Sequence, residues 1–143
     1  MKFLALIMTI FLVGCGSGSE GTPASLNDIV GVWDDSEYED QVLDEWYYVI
    51  QEDGQTFYYD YKGDSYNMGS NCYERSQSSR LVDLGNGEFN EVYSGDDPST
   101  LNISISGNRM TVNGTDIDGR YRYSRERSSK LISDLTPLCS ELR

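Results

Sequence analysis

From Leu101 to Ser106 the chain reads Leu-Asn-Ile-Ser-Ile-Ser, apolar and polar residues in strict alternation. Side chains of an extended strand point to opposite faces in turn, so this segment is a strand with one dry face and one wet face. Comparable runs recur along the chain, rich in aromatic and β-branched residues: Ile29–Trp33, Glu45–Gln51, Thr56–Tyr61, a strand around Met68–Glu74, Arg80–Leu84, Glu88–Tyr93, Arg109–Asn113 and Arg120–Arg125. Turn residues separate them: Glu52-Asp53-Gly54-Gln55, Lys62-Gly63-Asp64-Ser65, Gly85-Asn86-Gly87, Gly107-Asn108 and Gly114–Gly119. Helical periodicity is nearly absent beyond residue 25. Ser129–Leu138 reads as a short helix or a packed tail ending at Cys139. The expected fold is all-β, with about eight antiparallel strands in a meander that closes into a barrel or, alternatively, folds as a β-sandwich.

The first residues obey a different pattern. Met1-Lys2 supplies a positive charge, and Phe3–Val13 is an apolar run broken only by Thr9. A run of about eleven residues is half the roughly 20 needed to span a bilayer, and has the length of a signal-peptide apolar region. It ends Leu12-Val13-Gly14-Cys15. That tetrapeptide resembles the lipobox of bacterial lipoprotein precursors. The resemblance implies cleavage before Cys15, a diacylglycerol on its sulfur and acylation of its amine, so that 1–14 is a signal peptide. Two or more acyl chains hold a protein stably on a membrane. Gly16–Ser25 reads GSGSEGTPAS, which makes 15–25 a lipidated flexible tether. Gly16, rather than Asp, after the cysteine points to the outer membrane by analogy with enterobacterial lipoproteins. The expected location is the cell envelope, periplasmic or surface-facing. Residues 26–143 then form one β domain of modest core.

Loss of Lys2 leaves ten Lys and Arg against 24 Asp and Glu. Such an acidic surface disfavours nucleic acid and favours neutral or cationic partners. The charges are segregated. Asp34–Asp64 carries eleven acids and one base, Lys62, whereas Arg109, Arg120, Arg122, Arg125, Arg127 and Lys130 cluster late in the chain. Either these segments pair, so that opposite charges meet across a seam, or they are two solvated faces. An exported compartment permits disulfides, and Cys72 and Cys139 then have a single intramolecular pairing.

Gly31-Val32-Trp33 opens the first strand, and lipocalins begin with G-x-W at that place. The domain is similar to a small lipocalin. The resemblance implies that Trp33 plugs the closed end of the barrel with an arginine of the last strand, Arg120 or Arg122, packed over it. It implies also that a disulfide ties the tail to a mid-barrel strand, as Cys72–Cys139 would. The chain departs from the family in its length and in having no long helix after the last strand. Without the resemblance, Trp33 reads as a core tryptophan of any β fold.

The chain has no histidine, no nucleophile elbow, no Walker A loop and no dinucleotide-binding glycine pattern. The expectation is a protein that is not an enzyme and has no catalytic residue, cofactor or metal. Asp116-Ile117-Asp118-Gly119 resembles part of a calcium loop but lacks its distal Glu, and reads as a tight turn. The compositional oddity is tyrosine, 11 residues between Tyr38 and Tyr123. Tyrosine suits the interior of a barrel that holds a mildly polar ligand, a protein-contact surface, or simply a half-buried strand. Candidate ligand-binding residues are Trp46, Tyr48, Tyr59, Tyr61, Tyr121 and Tyr123; Trp33 with Arg122 forms the expected barrel-end plug. The function expected is a lipid-anchored envelope protein that binds a small hydrophobic or amphipathic molecule. The alternative is an interaction module that contacts another envelope protein through its acidic, Tyr-rich surface.

Overall fold

The computed structural model describes residues 21–39, 42–63, 71–116 and 118–142. The expected signal peptide, Cys15 and the start of the tether lie outside the described residues, as does Ile117 of the acidic turn. In chain order the elements are β1 (Thr22–Pro23), a single helical turn α1 (Leu26–Ile29), β2 (Gly31–Asp34), β3 (Glu37–Glu39), β4 (Val42–Asp44), β5 (Trp46–Ile50), β6 (Gln55–Lys62), β7 (Cys72–Gly85), β8 (Glu88–Val92), β9 (Ser99–Ser106), β10 (Arg109–Asp116) and β11 (Gly119–Arg127). Two short 3₁₀ turns, Ile132–Asp134 and Cys139–Glu141, complete the tail.

Strands β2, β5, β6, β7, β8, β9, β10 and β11 each pair antiparallel with the next, and β11 returns to β2. The architecture is therefore a closed eight-stranded meander barrel, not a sandwich. Closure satisfies the strand edges that an open sheet would leave exposed. The segments expected as separate strands at Met68–Glu74 and Arg80–Leu84 are joined, from Cys72 on, in one long strand, β7, whose first half pairs with β6 and second half with β8; residues 68–70 lie outside the described residues. β3 and β4 form a small separate hairpin between β2 and β5, within the acidic stretch Asp34–Asp64. β1 pairs with Ser104 and Ile105, a part of the β9 edge that β8 does not reach, and Ala24 is buried beside it. Residues 22–24, which composition assigns to the tether, thus belong to the β domain.

The β5–β6 hairpin turns through Glu52-Asp53-Gly54, with Gln51 N–H donating to the Gln55 carbonyl at 2.9 Å. Gly54 has φ +81° and its carbonyl accepts from Leu81 N–H at 2.8 Å, so a side chain there would meet both backbone strain and the β7 chain. This turn sets the register Ile50↔Thr56, Val49↔Phe57, Tyr48↔Tyr58 and Tyr47↔Tyr59. Paired residues share a face. Tyr48 and Ile50 belong to the inner core with Trp33, Leu81, Phe89, Leu101, Ile103, Met110 and Val112, so Tyr58 is inside with them. Tyr47, Val49 and Tyr59 are outside.

That outer side is not wet. Val32, Tyr47, Val49, Tyr59 and Tyr73 form a second apolar cluster, closed by Leu135 of the tail, with Phe57, Tyr61 and Leu138 packed against it. The Cys72–Cys139 disulfide fixes the tail there, together with Tyr73 N–H donating to the Pro137 carbonyl at 2.9 Å. Lys130 Nζ adds contacts at 3.2 Å to both Glu45 and the Tyr73 hydroxyl. Two faces of a curved sheet each need aromatic cover here, which accounts for tyrosines on adjacent positions of β5 and β6.

One end of the barrel is shut by α1 and Trp33. Trp33 is fully buried, and its indole N–H donates to the Ile29 carbonyl at 2.8 Å. The cation over the Trp33 ring is Arg127, at 4.3 Å, and not Arg122 or Arg120. Arg127 also donates to the carbonyls of Asp28, in α1, at 2.6 Å and of Val30, just after it, at 2.9 Å. The correction follows from strand parity. On β11 the inward row is Tyr121, Tyr123 and Arg125, with Arg127 continuing it toward Trp33; Arg120 and Arg122 alternate with it and are exposed. Arg127→Ala removes two charge-assisted hydrogen bonds and the ring contact, and should lower stability by about 3 kcal/mol. Arg122→Ala should stay within about 0.5 kcal/mol of the parent. Urea unfolding of the two variants checks the assignment; equal losses would contradict it.

Candidate functional site

The site lies toward the opposite end of the barrel. A cleft of about 350 Å³ there is lined by Tyr48, Tyr58, Glu91, Tyr93, Ser99, Tyr121, Tyr123 and Arg125. Each strand delivers its residue by parity: Tyr48 from β5, Tyr58 from β6, Glu91 from β8, Ser99 from β9, and Tyr121, Tyr123 and Arg125 from β11. Tyr93 follows β8 at the rim and is 38% exposed. The rings of Tyr121 and Tyr123 are parallel, 4° between planes and 6.1 Å between centres, which makes one flat aromatic wall.

Arg125 is the centre of the arrangement. Its side chain is only 8% exposed. Nε donates to Asp35 Oδ1 at 2.8 Å, and Nη2 donates to Asp35 Oδ2 at 3.1 Å and to the Tyr58 hydroxyl at 3.0 Å. The guanidinium lies over the rings of Tyr48 at 4.4 Å and Tyr123 at 4.5 Å. Nη1 is buried and has no hydrogen-bond partner among the described residues. Burial opposes the charge of Arg125. The Asp35 hydrogen bond and the neighbouring Tyr123 and Tyr58 outweigh it, so the guanidinium titrates even higher than usual. Asp35 stands just beyond the end of β2, so this ion pair crosses the β2–β11 seam. Opposite charges of the acidic and basic segments do meet there.

Glu91 is buried as well. It accepts from the Ser79 hydroxyl at 2.7 Å, while the hydroxyls of Ser79 and Thr56 lie 2.9 Å apart and Thr56 also accepts from Ser79 N–H at 2.8 Å. These bonds give a carboxylate inside the barrel the polar partners that burial demands. Among the described residues no group of three Cys, Asp or Glu side chains comes together in a way that would hold a metal ion.

Of the residues singled out from sequence, Tyr48, Tyr121 and Tyr123 come together in the cleft. Tyr59 and Tyr61 do not: they lie on the outer side of β6, packed with Tyr73 beneath the tail, the Tyr61 and Tyr73 ring centres 5.1 Å apart. The reason is the Tyr48↔Tyr58 register, which places even-numbered residues of both strands inward. Trp46 pairs with Asp60 farther along β5, is half-buried, and carries Lys62 Nζ at 5.9 Å from its ring; it does not line the cleft. Arg122 is on the outer surface with Asn113 and Asn102, its cross-strand neighbours. Tyr58, Glu91, Tyr93 and Arg125 were missed. For Arg125 the signal was present, because it shares parity with Tyr121 and Tyr123.

Compared with protein-family models, with curated proteins and with solved structures, the chain matches none. The reading of the site therefore rests on its geometry.

Burial raises the phenols of Tyr48, Tyr58 and Tyr123 above the ordinary value of 10.0. Tyr93 is raised by burial and then by Glu91. Neutral phenols thus face the cleft at any physiological pH. A raised folded-state value means the fold holds the proton more tightly, so this contribution to stability is complete below pH 10 and is lost as pH rises through the higher folded values. Absorbance titration of phenolate should show a group of tyrosines that stays protonated above pH 10 until the protein unfolds. Ionisation of all tyrosines near 10 in the folded protein would refute the buried arrangement.

Proposed function

We propose that this is a lipid-anchored binding protein of the bacterial cell envelope, which holds a small amphipathic molecule in the mouth of its barrel and catalyses no reaction on it. The observation that carries the reading is the mouth itself. A cleft of about 350 Å³ reaches the size of small-molecule sites, roughly 300–1,000 Å³. It is lined by aromatic rings with a few convergent polar groups, and one of these, Arg125 Nη1, has no partner among the described residues. An orphaned buried donor costs stability, on the order of 1–3 kcal/mol, unless something takes its hydrogens. Lower down, the barrel is filled by Trp33, Phe89, Ile50, Leu101 and Met110, all buried, so a ligand sits near the rim rather than deep in the barrel. The ligand is therefore small and partly polar, which narrows the expectation of a hydrophobic one.

The lipobox-like LVGC sequence supports anchoring through Cys15. With an acyl anchor on the membrane, the barrel has no need of a membrane-binding surface of its own.

A second reading has its own observation. Leu131 is 67% and Leu142 59% exposed on the tail, with Ile132 also exposed nearby, and apolar side chains left in water favour a protein contact.

The neutral dye N-phenyl-1-naphthylamine tests the first reading. Its fluorescence should rise on mixing with the full chain. Tyr123→Ala should weaken the response, and Tyr59→Ala, on the outer side, should not. No response from the folded parent would count against a ligand site. The anchor is checked by fractionation of cells: the parent should sediment with membranes and Cys15→Ser should not.

A further inference from the structure

We infer that the mouth selects a ligand with a neutral, hydroxyl-bearing head group, of the kind found in sugars and sugar-headed amphiphiles, over one bearing a free carboxylate or amine. The inference rests on the ligand-binding reading above and names the chemistry that the site would take.

Charge is the first ground. An arginine in a ligand cleft ordinarily suggests an anion, but Arg125 is already neutralised. Asp35 accepts from both Nε and Nη2, at 2.8 and 3.1 Å. Glu91 lines the same cleft and is 6% exposed. One guanidinium thus stands against two carboxylates, on a chain with 24 acids and 11 bases. A ligand carboxylate entering this space would meet net repulsion in a poorly screened environment. An ammonium finds its favoured place taken, because the aromatic faces of Tyr48 and Tyr123 are already covered by the guanidinium.

Hydrogen-bonding capacity is the second ground. Arg125 Nη1 offers only donors, and none is accepted among the described residues. Glu91 offers only acceptors, which the Ser79 hydroxyl and the neighbouring Tyr93 phenol share. The phenols of Tyr48, Tyr58, Tyr93 and Tyr123 are held protonated by burial, so each can both donate and accept, although Tyr58 already accepts from Arg125 and Tyr93 is engaged with Glu91. A head group that satisfies such a mixed set must itself donate and accept. Hydroxyls do so; a carboxylate only accepts and an ammonium only donates. The third ground is shape. The parallel Tyr121 and Tyr123 rings form a flat wall, against which the C–H face of a saturated ring packs without a charge of its own.

Three compounds with the same chain separate these alternatives: n-octyl β-glucoside, octanoate and octylammonium, each titrated calorimetrically below its micelle concentration into the full chain carrying Cys15→Ser. The glucoside should bind roughly tenfold tighter than either charged compound, the ratio one charge-assisted hydrogen bond supplies. Arg125→Met should abolish the preference over octylammonium, because it frees the faces of Tyr48 and Tyr123 and leaves Glu91 uncompensated, whereas octanoate should stay weak. Arg127 still holds the seam, and circular dichroism of the variant should match the parent. Glu91→Gln, which keeps the shape and hydrogen bonding but removes a charge, should raise octanoate affinity. Octanoate or octylammonium binding as tightly as the glucoside would overturn the head-group inference and leave the mouth a ligand site. A glucoside preference over octylammonium that survives Arg125→Met would overturn it too. Binding of none of the three would overturn this inference and the ligand-binding reading together.

Discussion

The first and last strands of the barrel share only two registered pairs, Asp34↔Glu126 and Trp33↔Arg127. A ladder this short would open easily, and an open barrel would expose both strand edges and the inner core. Two arginines on the inward row of β11 hold it shut. Arg127 reaches α1, whose terminal carbonyls it caps, and covers the Trp33 ring. Arg125 reaches Asp35 and Tyr58 on the far side of the seam. Both use the planar fork of the guanidinium, which a lysine does not have. The seam therefore fixes both ends of the molecule at once. At one end it builds a plug, and at the other a polar, aromatic mouth.

Arg125 has a double position in that scheme. A buried ion pair is weak evidence for stability, because desolvation offsets most of the attraction. Here the pair is also incomplete, with Nη1 unsatisfied among the described residues. Well-packed apolar residues would close this end of the barrel at lower cost. The presence of a buried arginine, a buried glutamate and five tyrosines in place of leucine and valine is what sets the mouth apart from the rest of the interior, where the core is apolar.

Much of the architecture was legible in the residues because two-residue alternation and turn chemistry act locally. Gly54, Gly85-Asn86-Gly87 and Gly107-Asn108 each fall where the chain reverses. The disulfide and the packed tail were legible because the chain beyond Cys15 has only two cysteines. What failed was face assignment across hairpins. Tyr59 and Tyr61 were placed inside together with Tyr48, although the five-residue connection from Ile50 to Thr56 makes Tyr48 and Tyr58 partners. The resemblance put Arg120 or Arg122 on Trp33, where Arg127 lies. Once Tyr121 and Tyr123 are inward, alternation excludes Arg122. β7 was split in two because its middle, Ser76–Ser79, is polar like a turn; in the fold Ser79 is buried, bonded to Thr56 and Glu91. α1 is a single turn, too short to show a helical period. The polar half of the mouth was not legible, since Glu91 and Asp35 are two among 24 acids and only closure of the barrel brings them near Arg125.

The most direct test is a high-resolution crystal structure of the chain purified from cells without added ligand, read at the mouth of the barrel. The account predicts density for a small molecule against the Tyr121–Tyr123 wall, with an oxygen within hydrogen-bonding distance of Arg125 Nη1. A mouth closed by its own tyrosines, with Nη1 bonded to a protein group and no space left beside it, would contradict it.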